Sequence, residues 1–156
     1  MAEVRRATVR DIPRLMEIRF AVKENRLSNP NSVTGADCED FIQRGLIWVV
    51  EERGRVVGFS AADDRDGTIW ALFIEPPVQG WGLGAGLLAL ACNDLAAMGY
   101  KIASLSTDTG TRADRFYRRH GWVAGDLNED GELQFQKELW GSGDILTGKD
   151  LRADTT

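Results

Sequence analysis

The chain has 156 residues, of which 43% are hydrophobic and 28% are charged, a composition typical of one globular domain. Its net charge of −5 argues against binding to nucleic acids or to anionic membranes, since both need a basic surface. One histidine and two cysteines leave little material for a zinc site or a disulfide framework. We therefore expect one metal-free domain over residues 1–140, followed by a polar tail over residues 141–156.

The predicted elements alternate between strands and helices along the chain. In order, they are a strand at 4–8, a helix after Asp11, a helix from Thr34 to Gly45, a hairpin of strands 46–52 and 55–61, a strand at 68–74, a helix at 82–98, a strand at 101–106, a helix at 112–120, and strands at 122–124 and 132–139. Gly99 and Gly121 are placed to end helices. The order β-α-α-β-β-β-α-β-α-β-β predicts an α/β (α+β) protein whose mixed sheet carries helices on its faces.

No stretch of the chain has the composition of a membrane span. The most apolar stretch, residues 83–92, is much shorter than the roughly 20 residues that a span needs. Residues 1–11 are charged and have no apolar run like that of a secretory signal. We therefore expect a cytoplasmic protein that does not associate with membranes, with a homodimer as the open alternative to a monomer.

Residues 79–86 form a glycine-rich loop between a predicted strand and a predicted helix. Glycines let a ligand come close to the backbone. The first turn of the helix also offers unpaired N–H groups at the positive end of the helix dipole. A site of this kind is suited to an anion such as a pyrophosphate.

Three glycine-loop patterns compete for this segment. A P-loop is excluded because no lysine follows the glycines. A dinucleotide-binding fingerprint is excluded because its last glycine is replaced by Ala85 or Leu87, depending on where the pattern starts. The remaining pattern, Gln/Arg-x-x-Gly-x-Gly/Ala, is satisfied by Gln79, Gly82 and Gly84.

Two ordered motifs resemble those of the GCN5-related N-acetyltransferase (GNAT) superfamily. Its acetyl-CoA-binding segment is similar to residues 72–84, Leu-Phe-Ile-Glu-Pro-Pro-Val-Gln-Gly-Trp-Gly-Leu-Gly. Its later Ala-x-x-hydrophobic-Tyr-x-x-x-Gly-aromatic motif resembles residues 113–122, Ala-Asp-Arg-Phe-Tyr-Arg-Arg-His-Gly-Trp. The resemblance implies a mixed, mostly antiparallel central sheet of six to seven strands flanked by about four helices, splayed at the cofactor cleft.

The resemblance also implies acetyl-CoA as the cosubstrate. In the family, pantetheine lies in the splay as an extra strand, which would pair with main-chain groups of Leu72, Phe73 and Ile74. The pyrophosphate would be held by the N–H groups of the loop. The implied loop residues are Gln79, Gly80, Trp81, Gly82, Leu83, Gly84 and Ala85.

Tyr117 matches the tyrosine that the family often places near the sulfur of CoA. A phenol can protonate or hydrogen-bond a departing thiolate, so the resemblance implies that Tyr117 contacts the cofactor and takes part in catalysis. Many members have an Asn seven residues earlier, and some have a Glu base twelve residues earlier. Those positions are Gly110 and Leu105 here, so the two roles cannot be carried over.

An acceptor ammonium must lose a proton before its nitrogen attacks a thioester. Our candidate for the base is Glu75, which follows the predicted strand at 68–74. Glu24, Asp63, Asp64 and a chain of water molecules are alternatives. Transfer by proximity alone would need little more than positioning.

The acceptor side of the site is less defined by the sequence. Glu24 and Asn25 would lie near the acceptor groove if the family geometry holds, and Trp70 is a candidate wall of the acceptor pocket. One helix face carries three arginines, Arg112, Arg115 and Arg119. We interpret this face as solvated, and the alternative is that its arginines bind a phosphate of CoA.

The sequence thus predicts an N-acetyltransferase that moves an acetyl group from acetyl-CoA to a primary amine of a small molecule or peptide. The alternative is a non-catalytic acyl-CoA-binding or sensing module. The residues found at Gly110 and Leu105 favour that alternative.

Overall fold

The computed structural model describes residues 2–22 and 33–139. Within these ranges the elements follow the predicted order: β1 (Ala2–Arg6), α1 (Ile12–Ala21), α2 (Gly35–Gln43), β2 (Ile47–Glu52), β3 (Arg55–Asp63), β4 (Thr68–Ile74), α3 (Leu83–Ala97), β5 (Ile102–Thr107), α4 (Arg112–Arg119), β6 (Val123–Leu127) and β7 (Leu133–Glu138). Two short 3-10 helices precede α1 and α3, at Val9–Asp11 and Pro76–Val78. The predicted fold class is confirmed.

Seven strands form one sheet in the order β1-β2-β3-β4-β5-β7-β6. Neighbouring strands run antiparallel except β4 and β5, which are parallel and are connected through α3. That parallel pair has a single register position, Thr68 opposite Ser104. Beyond it the two strands diverge, so the sheet is open toward the carboxyl ends of β4 and β5.

Helices cover both faces of the sheet. Because side chains alternate between the faces of a strand, Phe73 enters one core cluster and Leu72 the other. The first cluster packs beneath α1 and α2 and includes Leu15, Ile18, Phe41 and Phe59. The second packs beneath α3 and α4 and includes Leu88, Leu95, Leu105, Tyr117 and Phe135.

Local backbone chemistry accounts for several boundaries. The β2–β3 turn places both Arg53 (φ 55°) and Gly54 (φ 77°) in the left-handed region, as the favoured two-residue hairpin turns require. The Thr34 side chain caps α2 by accepting a hydrogen bond from the Asp37 N–H at 3.1 Å. These turns and caps depend on a few adjacent residues, which is why the sequence predicted them.

Two predicted boundaries shift. The first strand covers Ala2–Arg6 instead of residues 4–8, since Thr8 is already the N-cap of the 3-10 helix before α1. The sixth strand begins at Val123, because Trp122 is buried in the core and its N–H bonds the Tyr117 carbonyl at 3.0 Å. The predicted tail, residues 141–156, lies outside the described residues.

Candidate active site

The glycine loop lies between the 3-10 helix Pro76–Val78 and the amino terminus of α3. Gly80 (φ 91°) and Gly82 (φ 84°) are both in the left-handed region, which residues with a side chain rarely adopt. Gly82 is the N-cap of α3, and no side-chain cap bonds the first turn. The leading N–H groups of a 15-residue helix are therefore open to a ligand.

Gln79 ties this loop to the end of β4. Its Nε2 donates a hydrogen bond to the Ile74 carbonyl at 3.0 Å, and its own backbone N–H bonds Pro76 at 3.2 Å. The side-chain hydrogen bond of Gln79 thus stabilises the turn that follows β4. It links the strand that borders the opening in the sheet to the loop at the helix terminus.

Main-chain groups of β4 point alternately toward β3 and toward the opening. Glu75 donates its N–H to the Val57 carbonyl at 2.8 Å, so its main chain faces β3. By the alternation of an antiparallel ladder, Phe73 also faces β3, opposite Phe59, whereas Leu72 and Ile74 face the opening. Of the three residues predicted to pair with pantetheine, Leu72 and Ile74 are oriented to do so and Phe73 is not.

Two clefts meet at the opening between β4 and β5. The first, which we call the loop cleft, has a volume of about 180 Å³ and is bordered by Ile74, Gln79, Gly80, Gly82, Leu83, Gly84, Ala85, Arg112, Phe116, Arg119 and His120. The second, the sheet cleft, has a volume of about 390 Å³ and is bordered by Thr68, Trp70, Phe73, Ser104, Ser106, Glu132, Gln134 and Gln136. Leu72 and Tyr117 border both clefts, so they stand where the two meet.

Tyr117 is held at this junction by aromatic packing. Its ring contacts Trp122 and Phe135, with centroids 5.8 Å and 5.7 Å away. Burial raises the pKa of the Tyr117 phenol well above its ordinary value, so the hydroxyl keeps its proton at neutral pH. No described residue forms a hydrogen bond with this hydroxyl, which leaves it available to a bound group.

Glu75, the predicted base, borders neither cleft. Its Oε1 lies 2.9 Å from Nη2 of Arg14 and 3.1 Å from Nη2 of Arg55. The carboxylate is therefore part of an ion-pair cluster formed with α1 and β3. The structure does not bring Glu75 together with Tyr117.

The other candidate bases are also engaged elsewhere. Asp63 accepts two hydrogen bonds from the guanidinium of Arg65, and this contact lowers the pKa of its carboxyl group. Asp64 is ion-paired with Arg44. Neither aspartate borders either cleft. Glu24 and Asn25 lie outside the described residues.

The comparisons with known proteins agree with this geometry. Residues 43–124 match the family model described as an acetyltransferase (GNAT) domain, which covers more than half of the chain. The chain belongs to the GNAT acetyltransferase family. This membership confirms the resemblance that the two sequence motifs indicated.

Two mycothiol acetyltransferases are among the curated proteins to which this GNAT chain is similar. It is 30% identical over 108 residues to the one from Streptomyces griseus and 29% identical over 102 residues to the one from Streptomyces coelicolor. These alignments cover 62% and 59% of this chain, and 35% and 33% of the relatives. The chain thus spans about a third of the length of the curated relatives that it matches.

Solved structures of other GNAT proteins share the fold at low sequence identity. PaiA N-acetyltransferase from Thermoplasma acidophilum, solved with coenzyme A, superposes with a TM-score of 0.73 at 15% identity, covering 88% of this chain and 99% of that one. A phosphinothricin acetyltransferase from Sinorhizobium meliloti, solved with acetyl-CoA, also gives 0.73, at 17% identity and 94% coverage of each chain. These similarities establish the open, mostly antiparallel sheet as the GNAT fold.

Several other residues named from the sequence lie at or near the two clefts. Trp70 borders the sheet cleft and stacks on Phe41 with ring centroids 4.0 Å apart, and its role as a wall of the acceptor pocket stays a prediction. Arg112 and Arg119 border the loop cleft, whereas Arg115 bonds the Gly110 carbonyl at 3.0 Å. Glu132 was not predicted.

The available signal for Glu132 was the alternation of polar and apolar residues along residues 132–136. This pattern separates the faces of a strand. It does not tell which cleft the polar face borders.

Among residues 2–22 and 33–139, no group of three or more His, Cys, Asp or Glu side chains is arranged to hold a metal ion. Within that part of the chain, every helix is too short or too polar to cross a lipid bilayer.

Proposed function

We propose that this chain is an N-acetyltransferase that transfers the acetyl group of acetyl-CoA to a primary amine of a small molecule or peptide. The observation that carries the proposal is the junction of the loop cleft and the sheet cleft at Leu72 and Tyr117. A donor held in one cleft and an acceptor held in the other would meet beside a protonated phenol. Such positioning supplies much of the rate enhancement of a two-substrate reaction.

The loop cleft supports binding of the CoA part of the donor. The N–H groups at the start of α3, behind Gly80 and Gly82, suit a pyrophosphate. Arg112 and Arg119 border the same cleft and add positive charge for phosphate groups. Structural neighbours solved with coenzyme A or acetyl-CoA support the same donor.

The open side of β4 supports binding of pantetheine. The N–H groups of Leu72 and Ile74 face the opening, while the Ile74 carbonyl is already bonded by Gln79. An extended amide chain in the opening would complete the missing hydrogen bonds, as a strand added to a sheet edge does. One of these N–H groups would bond pantetheine, and the other would stabilise the negative oxygen of the tetrahedral intermediate.

In the proposed reaction, the amine nitrogen attacks the thioester carbon, a C–N bond forms and the C–S bond then breaks. The acceptor enters as an ammonium, and its two surplus protons go to solvent or to the departing sulfur. Burial raises the pKa of Tyr117 above its usual value near 10, whereas a thiol titrates near 8.5. Tyr117 therefore keeps its proton and stabilises the departing thiolate by donating a hydrogen bond.

Calorimetric titration with acetyl-CoA tests the donor, with ATP and NAD as controls. We expect saturable binding of acetyl-CoA and none of the controls at the same concentrations. Release of free thiol upon addition of primary amines then tests transfer. Binding with no amine-dependent release would instead support the acyl-CoA-binding module, and no binding of any CoA ester would contradict both functions.

A further inference from the structure

The floor of the sheet cleft is polar. On β5 and β7, Leu105 lies opposite Phe135, and both side chains enter the core beneath α3 and α4. By the alternation of a strand, the residues on either side of each project to the other face of the sheet. Four of them border the sheet cleft in two opposed pairs: Ser104 with Gln136, and Ser106 with Gln134.

Glu132 stands at the end of this polar floor. It precedes β7 and is only 7% exposed, although it borders the cleft. Its backbone is fixed by Asn128, whose Oδ1 accepts the Glu132 N–H at 3.0 Å and whose N–H donates to the Glu132 carbonyl at 2.8 Å. The backbone of Glu132 is thus held in place by a short turn.

Glu132 differs from the other buried carboxylates in its partners. Among the described residues, Asp11, Asp63 and Asp114 are buried beside an arginine that donates to the carboxylate. Within residues 2–22 and 33–139, Glu132 accepts only from Ser106 Oγ at 3.3 Å and Asn128 Nδ2 at 3.4 Å, and no cation there forms an ion pair with it. Buried carboxylates in proteins are usually paired with a cation, so a cationic ligand in the sheet cleft would supply the partner that the described residues do not.

We propose that Glu132 binds the ammonium group of the acceptor, so that the acceptor is a cationic alkylamine. This inference rests on the proposed transferase function and names the substrate class for the same site. The sheet cleft that holds Glu132 also reaches Tyr117 and is walled by the ring of Trp70. An aromatic ring and a carboxylate together suit an ammonium group that is attached to an apolar body.

The test compares Glu132→Gln with Glu129→Gln on the CoA-loaded chain. Glu129 is an exposed carboxylate in the same β6–β7 turn and serves as the matched control. The probes are 2-phenylethylamine, 1,4-diaminobutane and the uncharged 2-phenylethanol, with binding measured by calorimetry. We expect Glu132→Gln to weaken binding of the two amines about 10- to 100-fold, as loss of a hydrogen bond to a charged group does.

Three further results separate a charge effect from a fold effect. Glu132→Gln should leave acetyl-CoA and 2-phenylethanol binding unchanged, and Glu132→Asp should recover part of the amine affinity. In turnover by thiol release, KM for the amine should rise while kcat changes less than about threefold. Unchanged amine binding in Glu132→Gln, an equal loss in Glu129→Gln, or no binding of either amine would overturn the inference.

The outcome is separable from that of the proposed function. Amine binding that depends on Glu132, without any amine-dependent thiol release, would uphold the cation site and contradict the transferase. Thiol release with an amine KM that is the same in Glu132→Gln would uphold the transferase and contradict the cation site.

Discussion

The two edges of β4 differ in how completely they pair with a neighbouring strand. On one side, β3 pairs with it from Asp63 opposite Thr68 to Gly58 opposite Ile74, interrupted only by a bulge. On the other side, β5 pairs with it at one register position. β3 reaches β4 through a tight turn, whereas β5 is reached only through α3, so no local connection forces the second pair to close.

This difference between the two sides of β4 explains how the two clefts arise. The two clefts meet where β4 and β5 diverge and do not form the hydrogen bonds of a continuous sheet. Leu72 and Ile74 present main-chain groups there, and Tyr117 and Glu132 border the same opening. Backbone groups left unpaired in this way need a ligand or water as their partner.

The largest expected effect comes from placing a negative charge where the open side meets the glycine loop. Gly82→Asp should weaken acetyl-CoA binding at least about 100-fold, because a carboxylate beside the anion site repels the pyrophosphate. Asp tolerates the left-handed backbone better than most residues do. Calorimetry with acetyl-CoA measures the loss.

Gly99→Asp is the matched control for this charge. Gly99 has φ 97° and a Cβ there would meet nothing within 4 Å, so the backbone strain is similar but the site is remote. An equal loss of acetyl-CoA affinity in Gly99→Asp would mean that strain, not anion repulsion, explains the first variant.

The next effect concerns the phenol at the junction. Tyr117→Phe should lower kcat about 10- to 100-fold and leave acetyl-CoA affinity nearly unchanged, because the lost hydrogen bond forms to the departing thiolate. Tyr100→Phe is the control, since the Tyr100 hydroxyl donates to the Asp64 carbonyl at 2.8 Å, away from both clefts. Unchanged turnover in Tyr117→Phe would remove this residue from the mechanism.

The pH dependence of turnover examines the same group in the wild-type chain. Burial raises the pKa of Tyr117, so its protonated form persists past the ordinary value near 10. We therefore expect kcat to show no fall attributable to this phenol below about pH 10. A decline between pH 8 and 9 that disappears in Tyr117→Phe would contradict the assigned protonation state.

Amide hydrogen exchange resolves the two sides of β4 residue by residue. In the free chain, the Phe73 amide should exchange slowly and those of Leu72 and Ile74 faster, since of these three N–H groups only that of Phe73 points toward β3. Saturation with acetyl-CoA should slow exchange at Leu72 and Ile74 about tenfold or more and change Phe73 little. Equal protection of all three amides before ligand is added would contradict the opening between β4 and β5.

The smallest effect is expected at the rim of the loop cleft. Arg112→Gln should weaken acetyl-CoA binding about three- to fivefold, as is typical of a solvent-screened contact to a phosphate, and the difference should shrink with added salt. Arg115→Gln on the same helix should change the affinity less, because Arg115 does not border the loop cleft. A larger loss at Arg115 would reverse the assignment of these two arginines.

Much of the fold and of the loop cleft could be predicted from sequence. The hairpin at Gly54, the cap at Thr34 and the glycines at 80 and 82 act through the backbone conformation of adjacent residues. The exposed helix terminus behind this loop could be predicted for the same reason, since a helix terminus and its loop are continuous in the chain. The catalytic role of Tyr117 remains a prediction that the kinetic variants test.

The acceptor side could be predicted only in part. Trp70 borders the sheet cleft, whereas Glu75 is held by two arginines from α1 and β3. No pattern around Glu75 reveals those partners, because Arg14 is 61 positions away in the chain. Glu132 was missed for the related reason that its surroundings come from other strands.

By itself, the sequence determined the order of elements, the glycine loop and the family, because these depend on periodicity and on contiguous residues. Only the tertiary structure decided which side of β4 stays open and which carboxylate borders the opening. Strands distant in the chain, β4, β5 and β7, must first become neighbours before Leu72, Tyr117 and Glu132 share one cleft. Long-range contacts of this kind arise from packing of the whole sheet and are not encoded in any single segment.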